Sequence, residues 1–217
     1  MRVLDLFCGA GGAAMGYARA GFEVMGVDID PQPDYPFHAE VCDAIEWASD
    51  LGFAFDFIHA SPPCQHDAAI TKGTNAHLRD TYPDLYGPVR RILGELGIPY
   101  VIENPAARPD VVLCGEMFGL AVIRHRRFEL GGWTAPPPAH KPHRGRVAGM
   151  RHGHWYEGPY FAVYGAGGGK GSVPQWQDAM DMHWTSVRKS IAEAIPPAYT
   201  EFIGRQFMQY QIKKEAS

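Results

Sequence analysis

The chain has 217 residues, with 20 Lys+Arg against 24 Asp+Glu, so its formal net charge is −4. A hydrophobic content of 46% and a charged content of 20% are typical of globular proteins and exclude wholesale disorder. No apolar run approaches the ~20 residues that a membrane span needs, and a strand starting at residue 2 would leave no room for a signal peptide. The length predicts one domain, or one domain with a small appendage.

The cysteines indicate a reducing environment. They stand at positions 8, 42, 64 and 114, without a CxxC pair. This spacing is typical of neither a disulfide framework nor a zinc knuckle. We therefore expect free thiols and a cytoplasmic location.

Charge is distributed unevenly along the chain. Residues 1–123 contain 7 basic and 17 acidic side chains, whereas residues 124–155 contain 7 basic side chains and one acidic side chain. Five histidines lie in that second stretch, at positions 125, 140, 143, 152 and 154. A local basic segment is what phosphate contact requires, although a solvated surface loop would have the same composition.

In chain order, the first two thirds predict alternating strands and helices. Strands are expected at 2–7, 22–27, 37–41, 53–60 and 100–102. Helices are expected after the glycine-rich turn through about residue 20, closed by Gly21, then from an Asp43 cap into Trp47, and at 82–96. This alternation predicts an α/β fold, with a mostly parallel sheet and helices on both faces. Asp28, Cys64 and Glu103 all follow strand ends, at the edge where such sheets bind ligands.

The stretch from about 131 to 184 has a different composition. It begins with Ala135-Pro-Pro-Pro-Ala139, is rich in Gly, His, Arg and aromatic residues, and is followed by two predicted helices at 174–182 and 197–210. We interpret it as an insert for partner recognition. The predicted organisation is a core at 1–130, the insert at 131–185 and a helical return at 186–217.

A glycine-rich turn, Cys8-Gly-Ala-Gly-Gly12, directly follows the first strand. Such a turn at a helix start lets a ligand approach the backbone, and the helix dipole favours negative charge. Asp28 lies about 20 residues further on, where a ribose-binding acid is expected. The pattern indicates an adenosine-containing cofactor without distinguishing NAD from S-adenosylmethionine, and capping of the turn before Pro31 is the alternative role for Asp28 and Asp30.

The segment Ser61-Pro-Pro-Cys64-Gln65 predicts a rigidly presented thiol, because two prolines precede the cysteine in a loop. The other three cysteines lie on or beside core segments, where an inert buried thiol is the favoured interpretation. Glu103 follows an apolar strand, so we expect a partly desolvated carboxyl whose raised pKa lets it donate a hydrogen bond.

These motifs together resemble the DNA (cytosine-5)-methyltransferases, and the chain is most similar to short phage or prophage members. The motifs occur in the family's order: Asp5-Leu-Phe-Cys-Gly-Ala-Gly-Gly12, Pro63-Cys64-Gln65, Glu103-Asn104, Arg124-His-Arg126, and Ala194-Ile-Pro-Pro197 with Gly204. The resemblance covers most of the chain except residues 131–185. It implies a Rossmann-like, S-adenosylmethionine-dependent methyltransferase fold and a role in DNA methylation, including that of restriction-modification systems.

The resemblance also implies roles for individual residues. The cofactor-binding residues would be Asp5, Phe7, Gly9, Gly11, Gly12, Asp28, Ile29, Asp43 and Pro63, with Asp28 on the ribose and Asp43 on the adenine amino group. Cys64 would attack C6 of cytosine, protonated Glu103 would hold N3, and Arg126, with Arg124 nearby, would bind the cytosine carbonyl oxygen. The predicted DNA-binding residues are Gln65, Lys141, Arg144, Arg146 and Arg151.

Several departures from the family pattern leave alternatives open. Val122 stands where Gln is usual, Glu193 stands where Asn is usual, and only about 66 residues separate Phe128 from Ile195, so we expect a reduced recognition module. The histidine spacing fits no helix face, so phosphate or base contact is favoured and no metal is predicted. The alternatives are methylation of a free cytosine nucleotide and an inactive cofactor- or DNA-binding module. We expect a monomer.

Overall fold

The computed structural model describes residues 1–63, 83–165 and 170–216. Within these ranges the strands are β1 (Arg2–Leu6), β2 (Glu23–Asp28), β3 (His38–Val41), β4 (Phe57–Ala60), β5 (Tyr100–Glu103), β6 (Val111–Leu113), β7 (Arg126–Gly131), β8 (Gly149–Arg151) and β9 (His154–Tyr156). The helices are α1 (Gly12–Ala20), α2 (Ala44–Leu51), α3 (Tyr86–Leu96), α4 (Val173–Met180), α5 (Arg188–Glu193) and α6 (Pro197–Glu215). None of these helices is long and apolar enough to cross a membrane.

Seven strands form one mostly parallel sheet in the order β3-β2-β1-β4-β5-β7-β6. Strands β1 to β5 pair in parallel, and β7 runs antiparallel between β5 and β6. The strand order reverses between β1 and β4, which opens a crevice at the carboxyl ends of these strands. The predicted α/β fold is confirmed, and β1, β2, β4 and β5 end at the edge where sheets of this kind bind ligands.

Helices cover both faces of the sheet. Successive side chains of β1 point to opposite faces and so enter two different hydrophobic cores. Val3 faces the layer that contains α1 and α6, whereas Leu4 and Leu6 face the layer that contains α2 and α3. On the first side, Phe207 of α6 stacks on Phe57 of β4 with ring centroids 4.3 Å apart. The sheet is therefore buried on both faces, as a parallel sheet requires.

Both predicted helix caps are present. The Asp43 Oδ1 accepts hydrogen bonds from the backbone N–H groups of Ile45 and Glu46, at 2.8 and 3.0 Å, and so starts α2. Gly21 ends α1 with φ 99°, in the left-handed region that glycine adopts without strain.

Some predicted boundaries were wrong. The strand expected at 53–60 is a short 3₁₀ turn, Gly52–Ala54, followed by β4, because Phe53 is exposed and does not extend the buried run. The helix expected at 82–96 begins at Tyr86, with residue 82 outside the described ranges. Helix α6 continues to Glu215, and neither α5 nor the β6–β7 pair was predicted. Charged residues interrupt the apolar pattern in β7, which hides it as a strand.

The region expected to be an insert divides into two parts. Residues 132–146 contain neither helix nor strand, and β8 and β9 form a short antiparallel hairpin. In contrast, α4 packs into the body of the protein: Trp176 and Met180 are fully buried in a cluster with Ala10 and Val122. The domain boundaries at 130 and 185 stay a prediction.

Candidate active site at the carboxyl edge of the sheet

The chain turns sharply where β1 ends. Phe7 has φ 58°, a left-handed conformation that is uncommon for a bulky residue, and Gly9 and Gly11 follow with φ 49° and 79°. The Cys8 N–H donates to the Val27 carbonyl at 3.2 Å, which attaches the turn to β2. Backbone strain of this kind is concentrated at ligand sites, where the surrounding structure enforces it.

The three glycines that the sequence assigned to cofactor binding have different surroundings. A Cβ added to Gly9 would meet nothing within 4 Å, so this side of the turn is open to a ligand. A Cβ on Gly11 would meet the side chains of Tyr35 and Pro36, and a Cβ on Gly12 would meet the backbone carbonyl of Ile195. Close protein packing is thus the role of Gly11 and Gly12, and ligand approach is possible at Gly9.

The turn rests on residues that sequence analysis did not single out. The indole Nε1 of Trp184 donates to the Ala10 carbonyl at 2.8 Å. Thr200 in α6 donates through its hydroxyl to the Ala13 carbonyl, also at 2.8 Å. Both contacts bridge more than 170 residues, so no local pattern could have revealed them.

Asp28 caps the turn. Its Oδ2 accepts from the Gly9 N–H at 2.9 Å and its Oδ1 from the Asp30 N–H at 3.1 Å, so the capping role considered for Asp28 is present. Each carboxylate oxygen has a further lone pair, which leaves capacity for a ribose hydroxyl. The adjacent Ile29 is 67% exposed, and exposed Asp43 uses only Oδ1 for its helix cap. These three residues lie at the ends of β2 and β3, on the open side of the crevice.

Asp5 is fully buried, and this limits its predicted role. The Tyr35 hydroxyl donates to its Oδ2 at 3.4 Å, while Oδ1 has no partner within the described residues. Desolvation by burial raises the pKa of Asp5 well above its usual value. Because no solvent reaches this carboxyl, its contribution would be to support the turn from below.

His59 is a second buried polar group, which sequence analysis missed. Its Nδ1 lies 2.9 Å from the Tyr17 hydroxyl, and its Nε2 has no partner among the described residues. Desolvation by burial lowers the pKa of His59 to about 3, so the ring is neutral near pH 7. A histidine in an otherwise apolar strand was the only signal for it.

The loop after β4 leads toward the predicted nucleophile. The Ser61 N–H donates to the Leu6 carbonyl at 3.2 Å, and the Ser61 hydroxyl donates to the Phe7 carbonyl at 3.3 Å. These bonds fix the loop against the end of β1, and Pro63 is exposed there. Cys64 and Gln65 lie outside the described residues.

Glu103 and Arg126 are brought together at the end of β5. Glu103 is 6% exposed, and its Oε1 accepts from the Arg126 Nη1 at 3.2 Å. Arg126 begins β7 and also donates through Nη2 to the Glu193 carbonyl at 3.2 Å. The carboxylate and guanidinium therefore form a partly buried ion pair at the ligand-binding edge. Because the bond to Glu193 uses the backbone, this contact does not depend on the side chain at position 193.

Arg124 does not join this pair. Its guanidinium donates to the carbonyls of Val163, at 3.0 Å, and Ala192. Its own carbonyl accepts from the Tyr199 hydroxyl at 2.6 Å. Arg124 thus links the end of α5 to the loop at 161–164, and Arg126 alone of the two contacts Glu103.

The asparagine after Glu103 shapes the same edge. The Asn104 side chain accepts from the Ala106 N–H at 2.9 Å, and its Nδ2 lies 3.5 Å from the Pro62 carbonyl. Asn104 is 2% exposed, so its amide is committed to the protein. This residue connects the loop after β5 to the proline loop after β4.

The part of the chain from residue 132 to residue 171 is called the basic segment from here on. Its basic residues differ in how far their charges are already paired within the protein. Arg144 is paired with Glu116 at 2.9 Å, so its charge is compensated and it anchors the segment. Arg146 and Arg151 lie over the ring of Tyr156, at 5.0 and 5.8 Å. Lys141 is exposed. The four predicted DNA-binding cations therefore differ in how far their charge is already compensated, and their role in DNA binding stays a prediction.

A pocket of about 430 Å³ lies between this segment and the chain before β7. Its lining includes three cations and two aromatic rings: Arg124, Arg151, Lys170, Phe161 and Tyr164. Cations and aromatic faces are the side chains that contact phosphates and bases of nucleic acids. The pocket is thus an accessible groove lined by cations, next to the residues that lead into β7. Arg126, at the start of β7, forms the ion pair with Glu103.

The first part of the chain matches a known protein family and two curated proteins. Residues 1–104 match the family described as C-5 cytosine-specific DNA methylase. The chain is 32% identical over 142 residues to the type II methyltransferase M.XorII of Xanthomonas oryzae, covering 58% of this chain and 30% of that protein. It is 32% identical over 103 residues to the type II methyltransferase M.AplI of Arthrospira platensis, covering 44% of this chain and 30% of that protein. The matched part of the chain thus spans about a third of these relatives.

Solved structures confirm the fold. The Dnmt2 methyltransferase of S. pombe superposes with a TM-score of 0.62 at 13% identity, covering 96% of this chain and 98% of that one. The methyltransferase EhMeth of Entamoeba histolytica gives a TM-score of 0.61 at 12% identity, covering 99% and 98%. These structures confirm the predicted fold, and residues 1–104 match the family that the motifs resemble.

Proposed function

We propose that the protein methylates C5 of cytosine in DNA, with S-adenosylmethionine as the methyl donor, because residues 1–104 match the C-5 cytosine-specific DNA methylase family. The observation that supports this best is the Glu103–Arg126 ion pair at the carboxyl edge of the sheet. It faces the crevice beside the proline loop that precedes Cys64. The type II methyltransferases similar to this chain suggest a role in DNA modification.

The cofactor would bind along the ends of β1 and β2. The open side of Gly9 and the exposed Ile29 side chain leave room for it. Asp28 and Asp43 would accept from the ribose hydroxyls and the adenine amino group, and Phe7 and Pro63 would border the site. When bound, S-adenosylmethionine supplies an electrophilic methyl group.

The chemistry on the base would need three side chains. C5 of cytosine is a poor nucleophile, so addition of the Cys64 thiolate to C6 would build electron density at C5. Glu103 would hydrogen-bond N3 and the exocyclic amine, and Arg126 would orient this carboxyl and bind the carbonyl oxygen. After methyl transfer, loss of the C5 proton would release the thiol. Arg124, held by backbone carbonyls, would act by positioning the segment that contains Arg126.

The base must leave the DNA stack to reach this edge. The +6 charge of residues 124–155 and the cationic pocket lined by Arg124, Arg151 and Lys170 favour a nucleic acid over a free nucleotide. A free nucleotide presents one or two phosphates and would not need a basic segment of this length. Methylation of a free cytosine nucleotide is the second candidate, favoured by the short distance between Phe128 and Ile195.

A trapping experiment tests the nucleophile. Duplex DNA containing 5-fluorocytosine should form a covalent adduct with the wild-type protein in the presence of S-adenosylmethionine, because the fluorine cannot leave as a proton does. The adduct should be absent in Cys64→Ala, while Cys42→Ser, which changes a half-buried thiol elsewhere, should retain it. Cofactor affinity should stay within a few-fold, since the thiol acts on the base.

The outcomes separate the candidates. An adduct that persists in Cys64→Ala would identify another nucleophile. Transfer of the methyl group to a free cytidine nucleotide at a rate equal to that on duplex DNA would favour the second candidate. No transfer to either substrate by a protein that binds the cofactor would indicate an inactive module.

A further inference from the structure

Four side chains with metal-ligating atoms converge beside the proposed active site. They are Cys114, His125, His140 and His143, and the ligating atoms all lie within 4.8 Å of one another. Cys114 is buried at the end of β6, His125 immediately precedes β7, and the other two histidines belong to the irregular residues 132–146. Three separate segments of the chain thus meet at this point.

Two of the six separations between the ligating atoms match the edges of a tetrahedral zinc site. The Cys114 Sγ is 3.5 Å from the His143 Nε2, and the Nε2 atoms of His125 and His140 are 3.2 Å apart. With zinc–sulfur and zinc–nitrogen bonds of about 2.3 and 2.0–2.1 Å, the edges of a tetrahedron measure roughly 3.6 Å from S to N and 3.3 Å from N to N. Both observed distances agree with these edges within about 0.1 Å.

We propose that Cys114, His125, His140 and His143 bind one zinc ion. A thiolate with three imidazoles is a borderline-soft donor set that suits Zn²⁺, whereas carboxylate-seeking Mg²⁺ and Ca²⁺ would bind poorly. The Cys114 thiol must lose its proton to solvent on binding, so the ion and the thiolate together add one positive charge. Four protein ligands fill the coordination shell, which indicates a structural site.

The groups around the cluster hold its members in place. The Cys114 sulfur accepts from the Met117 backbone N–H at the start of a 3₁₀ turn. Tyr160 packs edge-on against the His143 ring at 6.1 Å, and the Tyr160 hydroxyl bonds to Glu116. Metal sites depend on such supporting contacts to orient their ligands. Arg144 directly follows His143, and its ion pair with Glu116 fixes the same loop.

The metal would fasten the basic segment to the proposed catalytic strand. His125 is directly followed by Arg126, which contacts Glu103, while His140 and His143 lie in a stretch with no helix or strand. Loops of this length without helix or strand are uncommon in compact domains, and a metal held at three points would fix the position of this one. No metal site was predicted from the sequence, because histidine spacing alone was considered. The proposed ligands are brought together by the β6–β7 pairing and by the irregular loop.

Metal content and cobalt spectroscopy test the proposal on the full chain. The protein purified without chelators should retain one equivalent of zinc after dialysis. Its cobalt-substituted form should show the visible bands of tetrahedral Co²⁺ and a thiolate-to-cobalt charge-transfer band in the near ultraviolet. His140→Gln and Cys114→Ser should lose the bound equivalent, and Cys114→Ser should lose the charge-transfer band. His154→Gln, a histidine on the adjacent hairpin, should keep the zinc and both spectral features.

If the Cys114→Ser variant fails to fold because Cys114 is buried, the His140→Gln variant still tests the proposal, since His140 is exposed. Chelation should also increase amide hydrogen exchange in residues 132–146 without changing it in α1. Absence of zinc, together with no tetrahedral cobalt spectrum, would show a hydrogen-bonded histidine cluster and overturn the proposal. A cobalt spectrum unchanged in His140→Gln would do so as well. None of these readouts requires methyl transfer, so they stand apart from the test of the proposed function.

Discussion

The parallel sheet in the first 104 residues and the basic segment 132–171 are stabilised in different ways. In the sheet, Val3, Leu4 and Ile58 are fully buried, and the backbone pairs strand to strand. In the segment, Met150 and Tyr164 are 52% and 62% exposed, and much of the backbone is irregular. The sheet is specified by short apolar runs that are buried on both faces, whereas the segment depends on a few long-range side-chain contacts.

These contacts lie at the two ends of the irregular stretch. At one end the Trp133 Nε1 donates to the Tyr100 carbonyl at 3.0 Å. At the other, Arg144 pairs with Glu116, and the Tyr160 hydroxyl accepts from the Arg144 N–H at 2.8 Å. Most of the folding stability should therefore reside in the sheet layers, while the segment can vary its surface for recognition.

Phe207→Ala should produce the largest effect on stability. The side chain is fully buried, stacks on Phe57 and lies 5.3 Å from the Trp133 ring, so its loss leaves a cavity between sheet and α6. We expect a loss of about 3–5 kcal/mol in the free energy of unfolding, measured by urea denaturation. Met150→Ala, in the hairpin of the basic segment, should change it by no more than about 0.5 kcal/mol. Equal losses in the two variants would show that the two regions are stabilised alike.

Glu103→Gln should have the largest effect on the proposed chemistry. Gln keeps the shape of the side chain but cannot deliver a proton, so turnover should fall at least ~100-fold with cofactor affinity retained. Glu129→Gln is a matched control, because Glu129 is also a buried carboxylate of this sheet. Its partner is Arg90, at 2.5 Å, and not a residue of the proposed site. Steady-state kinetics on duplex DNA measure both. Turnover like the wild type in Glu103→Gln would remove this residue from the mechanism.

The edge of the sheet where the candidate site lies could be predicted from the sequence, whereas most of the side-chain contacts at this edge could not. Alternation and strand ends placed Asp28 and Glu103 at one edge, because parallel strands end together. The family resemblance gave roles to Glu103 and Arg126, but their ion pair was not predicted, since β7 was not predicted and the two residues are 23 apart in the chain. His59 and Asp5 could not be foreseen as buried neighbours, because burial of a polar side chain depends on the helices that cover the sheet.

The basic segment was harder to predict for a physical reason. Its structure has no period of 2 or 3.6 residues over 132–146, so hydrophobic patterning contains no information there. The compensation of Arg144 by Glu116 joins residues 28 apart and is invisible in a local charge count. The same holds for Arg124, whose partners include carbonyls of residues 163 and 192.

The pH dependence of stability should separate the two buried polar groups of the sheet. His59 has a folded-state pKa of about 3 against about 6.5 when unfolded, so the unfolded chain binds more protons between these values. Its contribution to stability is therefore lost as pH falls, by about 2 kcal/mol from pH 7 to pH 5. His59→Asn, which keeps an acceptor near the Tyr17 hydroxyl, should lose this part of the pH dependence in urea denaturation at the two pH values.

Asp5 should act in the opposite direction. Its folded-state pKa is raised above the unfolded value, so the stability it contributes is present at low pH and is lost as pH rises through the folded pKa. Asp5→Asn should thus stabilise the protein at pH 7 relative to the wild type, and less so at pH 4. Parallel pH profiles for Asp5→Asn and His59→Asn would contradict the assignment of both groups.

The smallest effect is expected from the exposed cations of the basic segment, and it concerns DNA alone. Lys141, Arg146 and Arg151 are exposed, and none has a carboxylate partner in the described structure, whereas the charge of Arg144 is compensated by Glu116. Each phosphate contact releases counterions and contributes a slope of about −0.9 to log K against log salt. The triple alanine variant should therefore flatten this slope by about 2–3 units and weaken duplex binding roughly tenfold at moderate salt.

A control with the same loss of charge distinguishes local contact from net charge. Lys189 on α5 and Lys213 and Lys214 on α6 lie outside the segment 132–171, and their replacement by alanine also removes three positive charges. Because counterion release requires contact with phosphates, this variant should keep the wild-type slope within about one unit. Cofactor affinity should be unchanged in both triple variants, since neither set lies at the ends of β1 or β2. If the two variants flatten the slope equally, long-range attraction governs binding, and the segment 132–171 is a solvated loop with no special part in recognition.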